Sequence, residues 1–153
     1  MKYQIRKWLT LRSLVHSDDA AFLALRLITG VFLGYGVWDN VTNANQMTEF
    51  IRFLSANGFV TPNFWAPFSV YTQLLAAILI ILGLATRWAG IIIVGTFTVA
   101  LWMVHFEQTL REQWPALALV AIGLALITHG AGRFSLDTWL EKPDTAHRTG
   151  TAH

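Results

Sequence analysis

Apolar positions in this chain form four continuous runs instead of alternating with polar ones: Ala20–Trp38, Ala66–Ala85, Trp88–Phe106 and Trp114–Gly130. A helix rising about 1.5 Å per residue needs roughly twenty such residues to cross a hydrocarbon core about 30 Å thick. Lipid-facing barrel strands would alternate, and an isolated segment in lipid must satisfy its own backbone hydrogen bonds. The pattern therefore predicts an all-α fold, an integral membrane four-helix bundle. Arg26 interrupts the first run, which lacks a convincing small-residue cleavage site, so it reads as a retained helix and not as a signal peptide.

The connections carry other patterns. Within the one long link, Asp39 to Trp65, the residues Met47, Phe50, Ile51 and Leu54 recur at i, i+3, i+4 and i+7. This spacing predicts an amphipathic helix over about 46–56, ended by Asn57-Gly58. The stretch Gly83 to Trp88 leaves barely a turn, so the second and third runs must be antiparallel neighbours. At the start, Tyr3–Val15 interleaves Ile5, Trp8, Leu9 and Leu11 with Arg6 and Lys7, as in a helix lying on a membrane surface. Ser17-Asp18-Asp19 offers a cap for the first spanning helix. The expected organisation is an interfacial segment over 1–19, a four-helix domain over 20–140 and a polar, disordered tail over 141–153.

Composition agrees with lipid as the solvent: 54% of the 153 residues are hydrophobic and 13% are charged. Lys2, Arg6, Lys7, Arg12, Arg87, Arg133, Lys142 and Arg148 fall on one side of the four predicted spans, and only Arg52 and Arg111 on the other. By the positive-inside rule both termini are cytoplasmic. With a net charge of only +2 and no nucleic-acid motif, the basic groups suit anionic headgroups better than nucleic acid. The absence of cysteine excludes thiol-disulfide exchange and thiolate-held iron–sulfur clusters. His105 and His129 lie at opposite ends of antiparallel runs, which argues against a haem shared within one chain. No carboxylate occupies the middle of a run, which argues against a proton-coupled exporter.

Two polar features remain as candidate chemistry. Arg26 lies about 9 Å along the first helix, within snorkelling reach of the headgroups. Either it orders that end of the bundle through an acid or helix-end carbonyls, near His129 or Asp137, or it contacts an anion or a quinone head group. Gly30 and Gly34 share its stripe and suit close helix packing. At the opposite side Asp39, Gln73, His105 and Glu107, with Ser69, are expected to gather at one mouth. This is either a solvated rim or a quinone site supplying hydrogen bonds and a proton route. No metal site is expected, because His105 and Glu107 are two residues apart and point to different sides of a helix.

The last run closes with HGAGRFSLDTWLEK, His129 to Lys142. Gly130 and Gly132 can stop the helix in left-handed conformations, Arg133 suits the headgroups, and Ser135 can cap a restarted helix with Asp137 in its first turn. Gly-x-Gly-Arg-aromatic-Ser-Leu-Asp after a fourth apolar helix resembles the closing signature of the DoxX family of small bacterial membrane proteins. Leu25-Arg26-Leu27 and Leu82-Gly83-Leu84-Ala85-Thr86-Arg87 support the resemblance, which covers about Ala20 to Leu140. Ala131, Gln73 and Asp39 stand where the family commonly has proline, glutamate and lysine. The resemblance implies a membrane subunit supporting quinone-linked redox chemistry, as in thiosulfate:quinone oxidoreductases or oxidative-stress complexes. It implies no covalently bound cofactor, quinone as the candidate ligand, and redox-enzyme subunits or further copies of the chain as partners. A non-catalytic anchor or assembly partner and a small-solute carrier are the alternatives.

The charge asymmetry gives a direct test of orientation. A reporter fused after Lys142 is expected to be cytoplasmic and one inserted near Asn57 external; the opposite labelling would overturn the assignment.

Overall fold

The computed structural model describes residues 18–104 and 108–140. The expected surface helix Tyr3–Val15, the Ser17 cap, His105, Glu107 and the tail from residue 141 lie outside the described residues. Six helices follow one another: α1 (Asp18–Thr42), α2 (Ala44–Ala56), α3 (Pro62–Leu82), α4 (Thr86–Met103), α5 (Leu110–His129) and the short α6 (Leu136–Leu140). No strand occurs among the described residues. Four of the helices, α1, α3, α4 and α5, are long and apolar enough to cross a membrane.

Local capping explains where the helices depart from the apolar runs. Helix α1 continues past Trp38 to Thr42, so Asp39 lies inside it instead of following it. The chain then breaks at Asn43, whose extended backbone and side-chain bond to the Asn45 amide start α2. Helix α3 begins at Pro62, whose fixed φ suits the first helical position. That start places Gln73 about 16 Å along the axis, near the middle of the span and not at its mouth. Helix α5 begins at Leu110 because Thr109 and Glu112 form a reciprocal capping box.

Packing is organised as two antiparallel pairs, α1 on α3 and α4 on α5, joined where α3 meets α4. Small residues let the backbones approach. A Cβ on Gly90 would stand 2.8 Å from the Gly123 carbonyl oxygen, and one on Gly30 would stand 3.0 Å from that of Ala77. Ala76, Ala77, Ile80, Ala89, Ile93, Leu119 and Leu126 form the core with Leu33. Helix α2 packs on α1 and α3 through buried Leu54, with Met47, Phe50 and Ile51 half-buried, while Glu49 and Arg52 are exposed. Ile28, Val31, Tyr35 and Trp102 face outward, a surface that suits acyl chains and would be an aggregation liability in water.

The starts of α1 and α4 and the ends of α3 and α5 share one end of the bundle, here termed the closing end; α2 lies toward the other. The closeness of α4 and α5 generates a prediction. Gly123→Leu is expected to cost about 1–3 kcal/mol of stability in detergent. Gly95→Ala meets nothing within 4 Å and is expected to be neutral. Equal thermal midpoints for the two variants would refute backbone contact at the α4–α5 crossing.

Candidate functional sites at the two ends of the bundle

At the closing end the chain brings a buried charge against backbone carbonyls. Arg26 is only 1% exposed. Its Nε and Nη2 both donate to the Ile80 carbonyl at 3.1 Å, and its Nη1 donates to those of Ala131 at 2.5 Å and Phe134 at 3.0 Å. One guanidinium thus ties α1 to the last turn of α3 and to the segment after α5. All of these contacts are made to backbone carbonyls. Gly83 permits this approach. Its φ is +66°, and a Cβ there would meet the guanidinium and lie 2.7 Å from the Ser135 Cβ.

The closing segment folds over this bond. Gly130 has φ 78° and ψ −150°, a combination open essentially to glycine alone, and Gly132 has φ 72°. The Ser135 hydroxyl donates to the Gly132 carbonyl at 2.7 Å and accepts from the Thr138 amide at 3.2 Å, so it caps its own helix. Arg133 is 83% exposed and pairs loosely with Asp19 at 3.7 Å. His129 packs its ring against Phe22, with centroids 4.3 Å apart.

Asp137 serves a helix other than its own. Its Oδ1 accepts from the Ala85 amide at 2.7 Å and its Oδ2 from the Thr86 amide at 3.2 Å, while its own amide donates to the Gly83 carbonyl at 3.0 Å. It therefore caps α4, whose N-cap residue Ala85 has a left-handed φ of 47° and no capping side chain. The carboxylate also faces the positive end of the α4 dipole. One signal for this could be read beforehand: no Ser, Thr, Asp or Asn stands at the α4 N-cap, so the cap must come from elsewhere.

Toward the other end a half-open cavity of about 540 Å³ lies between α2, α3 and α4. Its walls are mostly apolar, with Phe53, Phe59, Trp65 and Phe68 prominent, and Ser69, Thr72, Gln73 and Thr96 add polar groups. Ser69 donates to the Ala66 carbonyl and Thr72 to that of Phe68, so both hydroxyl protons are committed to the helix backbone. The Gln73 amide makes no hydrogen bond among the described residues. Of the five residues expected at one mouth, Ser69 and Gln73 line the cavity, Asp39 is exposed on α1 and is not part of the lining, and His105 and Glu107 lie outside the described residues. No group of three or more potential metal ligands occurs among the described residues.

Substitutions at Arg26 test the closing end. Arg26→Leu strands the carbonyls of Ile80, Ala131 and Phe134 and is expected to cost roughly 3 kcal/mol or more. Arg26→Lys keeps a charge but loses the guanidinium fork, and its cost should be smaller. Asp137→Asn retains one acceptor for the α4 amides and is expected to cost only about 1 kcal/mol. Thermal unfolding in mild detergent checks the order; wild-type stability of Arg26→Leu would refute it.

Neither a curated protein nor a solved structure matches the chain. The sequence model of the DoxX family matches residues 21–106, a segment that runs from the start of α1 to beyond the end of α4. That match covers more than half of the chain, and this multi-pass membrane protein belongs to the DoxX family.

Proposed function

We propose that the chain is a quinone-binding membrane subunit of a redox complex in the bacterial inner membrane, with the head group held beside Gln73. The observation that carries this reading is the Gln73 amide, at mid-span and without a hydrogen-bond partner among the described residues, in a mostly apolar cavity. A polar group without a partner is costly in hydrocarbon, and a ligand carbonyl would relieve that cost. The fit is chemical. Aromatic and aliphatic walls suit a ring and an isoprenoid tail, the Gln73 amide donates to a ring carbonyl, and the Thr96 hydroxyl is a second donor within the same lining.

A bound quinone would supply the capacity to take up electrons and protons. The role of this chain is to hold the ring and to keep water away from it. Redox-enzyme subunits would provide the donor, and the outward apolar faces of α1 and α4 are available to them or to a second copy.

Titration of the detergent-purified protein with a short-tailed benzoquinone tests the reading through quenching of Trp65, which lines the cavity. Saturable quenching is expected, and Trp65→Phe should remove most of it. Gln73→Leu should weaken binding about tenfold, equivalent to about 1.4 kcal/mol. Ser69→Ala should leave it unchanged. Non-saturable quenching, or equal affinities for wild type and Gln73→Leu, would overturn the proposal.

A further inference from the structure

We infer that the pocket at the closing end binds a phosphate group, carried by a phospholipid head or present as the free anion. This does not depend on the quinone reading. The pocket measures about 640 Å³ and is walled by Asp19, the first turn of α4, the end of α5 and the closing segment. Arg87, His129 and Arg133 line it together with Asp19 and Asp137.

The charges in this pocket differ in how they are partnered. Asp137 is engaged by the Ala85 and Thr86 amides, and Asp19 pairs with Arg133. Arg87 makes neither an ion pair nor a hydrogen bond among the described residues. It lies over Gly130, where a Cβ would stand 3.3 Å from its Nε, so the glycine leaves room for the guanidinium above the end of α5. An arginine fork without a partner matches two oxygens of a phosphate.

Thr86 supplies an independent indication. It is 0% exposed, it lines this same pocket, and its hydroxyl is a buried polar atom without a hydrogen-bond partner. Leaving such a group unsatisfied costs about 1–3 kcal/mol. Thr86 is the first residue of α4, and the amides of Arg87 and Trp88 that follow have no intrahelical acceptor. A phosphate oxygen placed there would accept from the hydroxyl and from the helix start, with the dipole in its favour. The exposed indole of Trp88 on the pocket wall and that of Trp139 at the same end suit the headgroup level of a bilayer.

Thermal unfolding in dodecyl maltoside tests the site in two arms: sodium phosphate against sodium chloride of equal ionic strength, and phosphatidylglycerol added to the micelles. At hundredfold excess over Kd, the wild-type midpoint is expected to rise by about 5 °C or more in at least one arm. A rise with the lipid alone assigns the headgroup, and a rise with inorganic phosphate assigns the free anion. Arg87→Gln and Thr86→Val should each lose most of the rise. Without ligand Thr86→Val should be at least as stable as wild type, because it removes the unsatisfied hydroxyl, and so it tests the site even if Arg87→Gln folds poorly. No rise in either arm, or the full rise in Thr86→Val, would overturn the inference.

Discussion

The bond between the Arg26 guanidinium and three backbone carbonyls is the constraint on which the closing end depends. A charge at that depth is tolerated only if its donors are used, and helix ends are where unpaired carbonyls are found. Ile80 offers one at the end of α3; Ala131 and Phe134 offer two in the segment beyond α5. One side chain therefore fixes the mutual position of α1, α3 and the closing segment. Because Phe134 is held, Ser135 and Asp137 are placed over the α3–α4 turn, where Asp137 reaches the otherwise uncapped start of α4. The strained backbone at Ala85 persists because this carboxylate and the short turn hold it from both sides.

The other half of the bundle follows a different logic. Helix α2 lays an amphipathic face against α1 and α3, and the gap left between it, α3 and α4 is the apolar cavity. Aromatic side chains form much of its wall, and its hydroxyls mostly return their protons to the helix backbone. Such a wall offers little beyond shape and dispersion, so the free amide of Gln73 gives the cavity much of its polarity. A tightly bonded end and a loosely filled one are thus built from the same four spans.

Hydropathy made the four spans legible, since length and apolarity are local properties of the sequence. Their ends were less so, because caps such as Asn43 and Pro62 shift a boundary by several residues without changing the apolar run. That shift matters for the site. It places Gln73 near the middle of α3 and Asp39 inside α1, and of the two only Gln73 lines the cavity. Arg26 was visible as a charge in an apolar run, and helix-end carbonyls were among the partners open to it, but which carbonyls was not legible, because a backbone carbonyl carries no sequence signature. The reach of Asp137 across to α4 was hidden for a similar reason. Its spacing from Ser135 suits its own helix, and only the three-dimensional path of the chain shows that another helix needs the carboxylate more. The cavity had no signature at all, being a gap between three elements.

The family match and the physical unit do not coincide. Residues 21–106 contain α1 from its fourth residue and all of α2, α3 and α4, yet within that segment the Arg26 fork finds only the Ile80 carbonyl, and α4 begins on a left-handed alanine without a cap. The missing acceptors at Ala131, Phe134 and Asp137 come from the chain that follows α5. Helix α5 is in turn the most extensive neighbour of α4, across the Gly90–Gly123 contact. The matched segment therefore leaves a buried charge part-satisfied and a helix start exposed, and the fourth span with its closing turn completes both. That requirement explains in physical terms why a short polar stretch after the last span is built so specifically. Its glycines turn the chain back, its carbonyls at Ala131 and Phe134 meet Arg26 of α1, its serine caps the short helix that follows, and its aspartate caps α4.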